Sequence, residues 1–267
     1  MRGLHEGLIA VKDCPACGGT RFTPHLRAGG WVLVECPGCG LILLNPRPAP
    51  EHYESGRLEQ FLDRTVLERA DAEILANADR VRQLARFTRV GTLCDVGAGP
   101  GFFMKAAERA GWTAMGCDAV VECASFGRER LGLAALTHGT FAAAFERLPR
   151  GLDAVTLFHS LEHMVDPLRE LRRAWVLLRP GGIVAIEVPD IQSEEARSLG
   201  PAWGHLRLPF HLYFFTPPSM GQLMARAGFR LLDIGPRTGA SPPAWFLRVF
   251  GQKAQHTGPT GGAASRR

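Results

Sequence analysis

Short apolar runs alternate with helical patterns through the middle of the chain, between residues 92 and 236. The runs lack the apolar-polar alternation of a half-exposed sheet, which is typical of strands that are covered on both faces. Repeated strand-helix units of this kind predict an α/β fold, with a parallel sheet and helices on both of its faces. The clearest runs are TLCDVG, TAMGCD, DAVTLFHS and IVAIEVPD.

The segments on either side of this region differ from it. Residues 13–50 are rich in Cys, Gly and Pro and too few to fold by apolar burial alone. Apolar residues recur at near-helical spacing over 57–88, which predicts one or two amphipathic helices. The sequence after residue 251 is small, polar and glycine-rich, and predicts disorder. We therefore expect a small domain over 1–50, a helical linker or cap over 51–90, the main domain over 91–250 and a disordered tail over 251–267.

Composition and charge describe a globular chain without a strong electrostatic preference. The 267 residues are 46% hydrophobic and 21% charged, with a formal net charge of +5. Only three of the 31 basic residues are Lys, and the Arg residues are scattered, which disfavours nucleic acid as a partner. The first residues show no signal peptide, and no apolar run has the length of a membrane span. A cytoplasmic protein is the expectation.

Four cysteines in the N-terminal segment form two C-x2-C pairs. Cys14 and Cys17 make the first pair, and Cys36 and Cys39 the second. Each pair can direct two thiolates at one tetrahedral zinc ion, whose binding would supply folding energy to this short segment. A pair of disulfides is the alternative, which a reducing compartment disfavours. Because four thiolates leave no open coordination position, we expect a structural zinc ribbon.

A D-x-G-x-G-x-G loop at residues 95–101 lies between an apolar run and a helical pattern. Glycines let the backbone approach a ligand, and the helix that follows offers free N–H groups. The dinucleotide fingerprint G-x-G-x-x-G would need a third glycine where Phe102 stands, which disfavours a bound pyrophosphate. Asp118 ends the second strand, where a carboxylate can accept two ribose hydroxyls. A nucleoside-like cofactor is favoured over a dinucleotide, and a purely structural turn is the third interpretation.

In combination, these motifs resemble the class I S-adenosylmethionine-dependent methyltransferases. Within that family they are similar to a bacterial branch that carries an N-terminal zinc ribbon and includes sugar C-methyltransferases. Nearly the whole chain takes part in the resemblance. The motifs that carry it are CGLILLNPRP (39–48), DVGAGPG (95–101), HSLEHMVDP (159–167), LLRPGG (177–182) and HLYFF (211–215).

The resemblance implies a Rossmann-like sheet of seven strands that ends in an antiparallel hairpin, with S-adenosylmethionine across the carboxyl ends of the first strands. It implies an in-line displacement at the methyl carbon, in which the protein holds the reacting groups and excludes water. By the family pattern, the methionine part lies against Asp95, Gly97, Gly99 and Gly101, the ribose on Asp118, the adenine beside Thr140 and Phe141, and the transferred methyl near His159 and Ser160.

A general base is needed where the acceptor holds its proton tightly, and histidine suits that role near neutral pH. His211 precedes an aromatic run in the region that the related sugar C-methyltransferases use for their acceptor, so it is the first candidate. His159 is the second. The alternative for His211 is a structural histidine that packs beside Tyr213 and Phe214.

Residues 159–163 also match H-x-x-E-H, an inverted metalloprotease signature. That chemistry needs both histidines on one helical face. Here a strand leads straight into the motif, and Asp166-Pro167 is typical of the start of the next helix. We therefore interpret the five residues as a loop at a strand end.

The sequence thus predicts transfer of a methyl group from S-adenosylmethionine to a small molecule, such as a sugar or another biosynthetic metabolite. The alternative is a non-catalytic zinc-ribbon protein whose methyltransferase-like domain recognises a macromolecule. A dehydrogenase is the third hypothesis. The methylated atom, whether carbon, oxygen or nitrogen, and the oligomeric state stay open, because fold does not determine them.

Overall fold

The computed structural model describes residues 7–54, 64–236 and 245–254. The strands are β1 (Thr23–Ala28), β2 (Trp31–Glu35), β3 (Ile42–Leu44), β4 (Thr92–Val96), β5 (Thr113–Asp118), β6 (Leu136–His138), β7 (Leu152–Phe158), β8 (Leu178–Pro189), β9 (Tyr213–Phe214), β10 (Phe229–Pro236) and β11 (Phe246–Lys253). The helices are α1 (Glu51–Glu54), α2 (Arg64–Glu68), α3 (Ala70–Leu84), α4 (Phe102–Arg109), α5 (Val121–Leu131), α6 (Phe141–Ala144), α7 (Pro167–Leu177), α8 (Glu194–Leu199) and α9 (Pro217–Arg226). Short 3-10 turns occupy Phe145–Arg147, Leu161–His163 and Gly200–Ala202.

The main sheet has seven strands in the order β10-β11-β8-β7-β4-β5-β6. Strands β8, β7, β4, β5 and β6 run parallel, whereas β11 pairs antiparallel with both β8 and β10. The predicted parallel sheet with its final antiparallel hairpin is therefore confirmed.

Both faces of this sheet are covered, which explains why its strands show no polar alternation. Along β8, Val184 and Ile186 pack into one apolar cluster with α7 and α9. Ile183 and Ala185 point the other way, into a second cluster with α3 and α4. The core therefore consists of two layers, one on each side of the sheet.

The glycine loop after β4 depends on the absence of side chains at two positions. Gly97 and Gly101 both adopt positive φ, 71° and 87°. A Cβ on Gly97 would lie 2.5 Å from the Cβ of Ser160, and one on Gly101 would lie 2.3 Å from a methyl of Leu133. The loop can therefore pass between the end of β7 and the segment after α5 only with glycine at these positions.

The N-terminal segment forms a second sheet, of order β1-β2-β3-β9. Its last strand comes from far along the chain, because Tyr213 and Phe214 pair antiparallel with β3. Arg47 reinforces the junction with a 2.6 Å hydrogen bond to the Tyr213 hydroxyl, which in turn donates to the carbonyl of Val165 at 2.9 Å. The predicted separate domain over 1–50 thus shares a sheet with the chain that follows β8.

The helical pattern predicted over 57–88 corresponds to α2 and α3 from residue 64 onward, while residues 57–63 lie outside the described part of the chain. Within the described ranges, no helix is long and apolar enough to span a membrane.

The prediction of a disordered tail from residue 251 is wrong for its first residues, since β11 continues to Lys253. Gly251 is buried there, and a Cβ on it would lie 2.2 Å from Met224. Lys253 donates to the carbonyl of Leu178 at 2.7 Å. A small glycine and a long lysine stem suit this packed edge although their composition resembles a tail. Residues 255–267 lie outside the described part.

Candidate active site

A cavity of about 680 Å³ opens at the carboxyl ends of β4, β5 and β7. In an open parallel sheet this edge is the expected ligand position. Seven of the predicted site residues line the cavity: Gly97, Gly99, Asp118, Thr140, Phe141, His159 and Ser160. Asp95, Gly101 and His211 are not among its lining residues.

Asp118 ends β5 with its carboxylate held by two backbone amides. The N–H of Gly99 donates to Oδ2 at 2.7 Å, and the N–H of Val120 donates to Oδ1 at 2.9 Å. The side chain is 7% exposed and lines the cavity. Since a carboxylate has about four acceptor positions, it can receive ligand hydroxyls beyond these two bonds.

One side of the cavity is apolar and lies around Phe141. Thr140 caps α6 by accepting from the N–H of Ala143 at 3.2 Å, which orients Phe141 beside Ala119 and Val120 along the cavity wall. Sequence reasoning did not single out Ala119 and Val120. Their position directly after Asp118 was the available signal.

His159 follows β7 with φ of 53°, a backbone conformation that is uncommon for a non-glycine residue and occurs often at functional sites. Its N–H donates to the carbonyl of Glu187 at 2.8 Å. The ring lies between two buried carboxylates: Nδ1 is 3.7 Å from Oε1 of Glu162, and Nε2 is 3.8 Å from Oε2 of Glu187. The strand end therefore presents an imidazole at the cavity with acidic groups on both sides.

Glu187 is itself neutralised by two arginines. Arg80 of α3 donates to Oε2 at 2.6 Å, and Arg248 of β11 donates to Oε1 at 2.5 Å. Burial alone would raise the pKa of Glu187, but the two guanidinium groups hold that pKa below its ordinary value. Glu187 is therefore an anchored anion behind His159.

His211, the first candidate base, is 3% exposed and does not border the cavity. Its Nδ1 lies 2.7 Å from the carbonyl of His205. Burial and the neighbouring His163 lower the pKa of His211 to about 3, so the ring is neutral. His163, by contrast, lines the cavity and packs edge-on against His211 at 4.7 Å between ring centroids.

Asp95 and Gly101 support the cofactor loop from below instead of lining the cavity. Asp95 is 3% exposed and accepts a 2.6 Å hydrogen bond from the Thr156 hydroxyl, which ties β4 to β7. Burial raises the pKa of Asp95 to about 7. Gly101 is buried at the start of α4 against Leu133. The family pattern had suggested direct contact for both residues.

Residues outside the predicted set complete the cavity opening. Tyr53 reaches it from α1 and donates to the carbonyl of Pro209 at 3.0 Å. Arg169, Arg173 and Arg207 also line it. No sequence signal distinguished these arginines from the many scattered ones, because their meeting depends on the tertiary fold.

The H-x-x-E-H motif is not helical in this structure. β7 ends at Phe158, and Leu161–His163 form a 3-10 turn. This agrees with the interpretation of the motif as a strand-end loop.

The four ribbon cysteines converge with their sulfurs within 4.8 Å of one another. Cys14 and Cys39 are 3.6 Å apart between Sγ atoms, and Cys17 and Cys36 are 3.4 Å apart. These distances exceed the S–S bond of about 2.05 Å, and all four thiols are free. Sulfurs at the corners of a ZnS4 tetrahedron with Zn–S of about 2.3 Å stand nearly this far apart, so the quartet fits zinc.

The fold and the cavity together define the class of protein. A seven-stranded sheet with a final antiparallel hairpin, a glycine loop after its central strand and an acidic residue at the end of the next is the class I methyltransferase architecture. The family described as "Methyltransferase domain" matches residues 66–234. The chain belongs to this family.

Individual relatives cover parts of the chain. A ubiquinone biosynthesis O-methyltransferase of Cereibacter sphaeroides is 29% identical over 150 residues, which are 53% of this chain and 61% of that protein. A tRNA U34 carboxymethyltransferase of Methylococcus capsulatus is 30% identical over 92 residues, 33% of this chain and 28% of that protein. The chain thus spans less than two thirds of the length of these relatives.

Among solved structures, the 1,6-didemethyltoxoflavin-N1-methyltransferase of Burkholderia thailandensis, with 1,6-didemethyltoxoflavin and S-adenosylhomocysteine bound, superposes with a TM-score of 0.57. The match covers 87% of this chain and 99% of that one at 19% identity. At this identity, the similarity shows that the two proteins share a fold.

The buried Asp95 predicts a pH-dependent stability. Because its pKa is raised from 3.8 to about 7 in the folded state, the stability gained from binding this proton is complete below about pH 4 and is lost as the pH rises through 7. Relative to Asp95→Asn, the wild-type free energy of unfolding should therefore decrease between pH 4 and 7. Urea unfolding at several pH values measures this difference.

Asp153→Asn is the matched control. Burial alone would raise the pKa of Asp153, but the N–H of Thr92 and Arg179 lower it. Its stabilisation is therefore lost only as the pH falls below about 4. An unchanged difference between wild type and Asp95→Asn across pH 4 to 7 would contradict the assignment of Asp95 as a buried, protonatable support.

Proposed function

We propose that this protein transfers a methyl group from S-adenosylmethionine to a small-molecule acceptor by in-line displacement. The observation that carries the proposal is the cavity between the glycine loop, Asp118 and the end of β7. Family membership supports it. The names of two relatives, which refer to ubiquinone biosynthesis and to 1,6-didemethyltoxoflavin, support a small acceptor.

The residues present suit this cofactor. A Cβ on Gly99 would meet no atom within 4 Å, so the space at the loop is open, and the Asp118 carboxylate is placed to accept ribose hydroxyls. The buried hydroxyl of Ser160 also lines the cavity, and no group within the described ranges hydrogen-bonds to it. A buried polar group without a partner is costly, and a bound ligand would relieve that cost.

When bound, the cofactor supplies an activated methyl on a sulfonium sulfur. The contribution of the protein is geometric: Asp118 and the Gly97–Gly99 backbone hold one end of the ligand, and the apolar wall at Phe141 holds the base. His159 is the side chain that we infer removes a proton from the acceptor, because it lines the cavity and His211 does not. The carboxylates of Glu162 and Glu187, 3.7 and 3.8 Å away, stabilise the charge that its ring would gain.

Asp118→Asn tests the cofactor site. The amide keeps the size of the carboxylate but replaces one acceptor with a donor, so charge-assisted bonds to the ribose are lost. A loss of about 1.5–3 kcal/mol corresponds to binding that is weaker by roughly 10- to 100-fold. Calorimetry with S-adenosylmethionine measures this change.

Asp71→Asn is the control for that titration, since Asp71 is exposed and pairs with Arg109 outside the cavity. It should bind the cofactor as wild type does. Absence of binding to the wild-type protein at high micromolar cofactor would remove the enzyme hypothesis and favour the non-catalytic alternative.

His159→Gln tests the base. A product assay with methyl-labelled cofactor over a panel of metabolites first identifies an acceptor. With that acceptor, His159→Gln should keep cofactor affinity and lose turnover by about 10²- to 10⁴-fold, the usual contribution of a general base. His138→Gln, an exposed histidine on β6, serves as control. Full turnover by His159→Gln would show that no base acts from this position.

The ribbon cysteines are proposed to hold one structural zinc ion. After dialysis against metal-free buffer, elemental analysis should find about one retained zinc per chain. Cys39→Ser should lose this zinc and destabilise the sheet that contains β9, whereas Cys123→Ser, a thiol outside the quartet, should keep it. A folded wild-type preparation without zinc would contradict the proposal.

A further inference from the structure

A second group of metal-ligand side chains lies beside the cavity, formed by Glu162, His163 and His211. One ligand atom from each lies within 4.8 Å of the others. Glu162 is fully buried and His211 is 3% exposed. In the described part of the chain, neither carboxylate oxygen of Glu162 has a hydrogen-bond partner. An ionised carboxylate in this position requires a compensating positive charge.

Both histidines point a lone pair away from their backbone contacts. Nδ1 of His163 lies 3.2 Å from the carbonyl of Phe210, and Nδ1 of His211 lies 2.7 Å from the carbonyl of His205. Because a carbonyl can only accept, each Nδ1 must carry the proton, and in the neutral ring Nε2 then carries the lone pair. A carbonyl that fixes the tautomer in this way is the usual support of a metal-binding histidine.

The backbone holds these three residues in place before any ion binds. Glu162 and His163 belong to one 3-10 turn, and the N–H of Leu212 donates to the carbonyl of Glu162 at 2.8 Å. The carbonyl of Leu212 accepts from Leu44 of the ribbon sheet at 3.0 Å. The two segments that carry the ligands are therefore tied to each other and to β3.

We propose that Glu162, His163 and His211 bind a divalent metal ion of the zinc class, at a site distinct from the ribbon cysteines. Two imidazoles and one carboxylate are a known zinc donor set, and three protein ligands leave positions for water or a ligand oxygen. Since His163 also lines the cavity, the ion would border the space in which an acceptor is held. This site goes beyond methyl transfer, and metal binding can be measured without an acceptor.

The competing explanation is a proton: a protonated His163 would neutralise Glu162 without any metal. Stoichiometry distinguishes the two. After equilibrium dialysis against buffered zinc, wild-type protein should hold two zinc ions per chain, one of them in the ribbon. Glu162→Gln and His163→Gln should each hold one, and His138→Gln should hold two. One zinc in the wild type, or two in both Glu162→Gln and His163→Gln, would overturn the proposal in favour of the ion pair.

A second measurement covers the case in which the buried Glu162→Gln does not fold. In crystals of wild-type protein soaked with zinc, an anomalous difference map should show a peak among Glu162, His163 and His211 in addition to the ribbon peak. A ribbon peak alone would overturn the proposal.

Discussion

Close approach of backbone at the carboxyl end of β4 is the constraint on which the candidate active site depends. The loop passes so near to Ser160 and Leu133 that Gly97 and Gly101 have no room for a Cβ. That approach brings the N–H of Gly99 to the Asp118 carboxylate at 2.7 Å and thereby joins the ends of β4 and β5. A larger residue would force β7, α5 and the loop apart, and with them the walls of the cavity.

A second chain of contacts joins the zinc ribbon to the same cavity. Strand β9 completes the ribbon sheet, and Leu212, just before it, bonds through its backbone to Leu44 on one side and to Glu162 on the other. Glu162 in turn lies 3.7 Å from His159 at the cavity. The ribbon therefore stabilises the segment beside the active site, which gives its zinc a structural purpose beyond the ribbon itself.

The sequence predicted the sheet, the glycine loop and Asp118, because these features depend on local patterns: buried strands, glycine spacing and a carboxylate at a strand end. It could not assign Asp95 to the interior, since a strand that is covered on both faces shows no alternation from which to infer where a side chain points. His211 and β9 depend on pairing with residues about 170 positions earlier in the chain, for which no local signal exists. The strand residues Gly251 to Lys253 resemble a tail in composition and are held only by tertiary packing.

A crystal structure of the protein with S-adenosylhomocysteine tests the central claim most directly. The account predicts the ligand in the cavity at the ends of β4, β5 and β7, with its ribose hydroxyls within hydrogen-bond distance of Asp118 and its adenine beside Phe141. Density for the ligand elsewhere on the protein, or an empty cavity at saturating ligand, would contradict it.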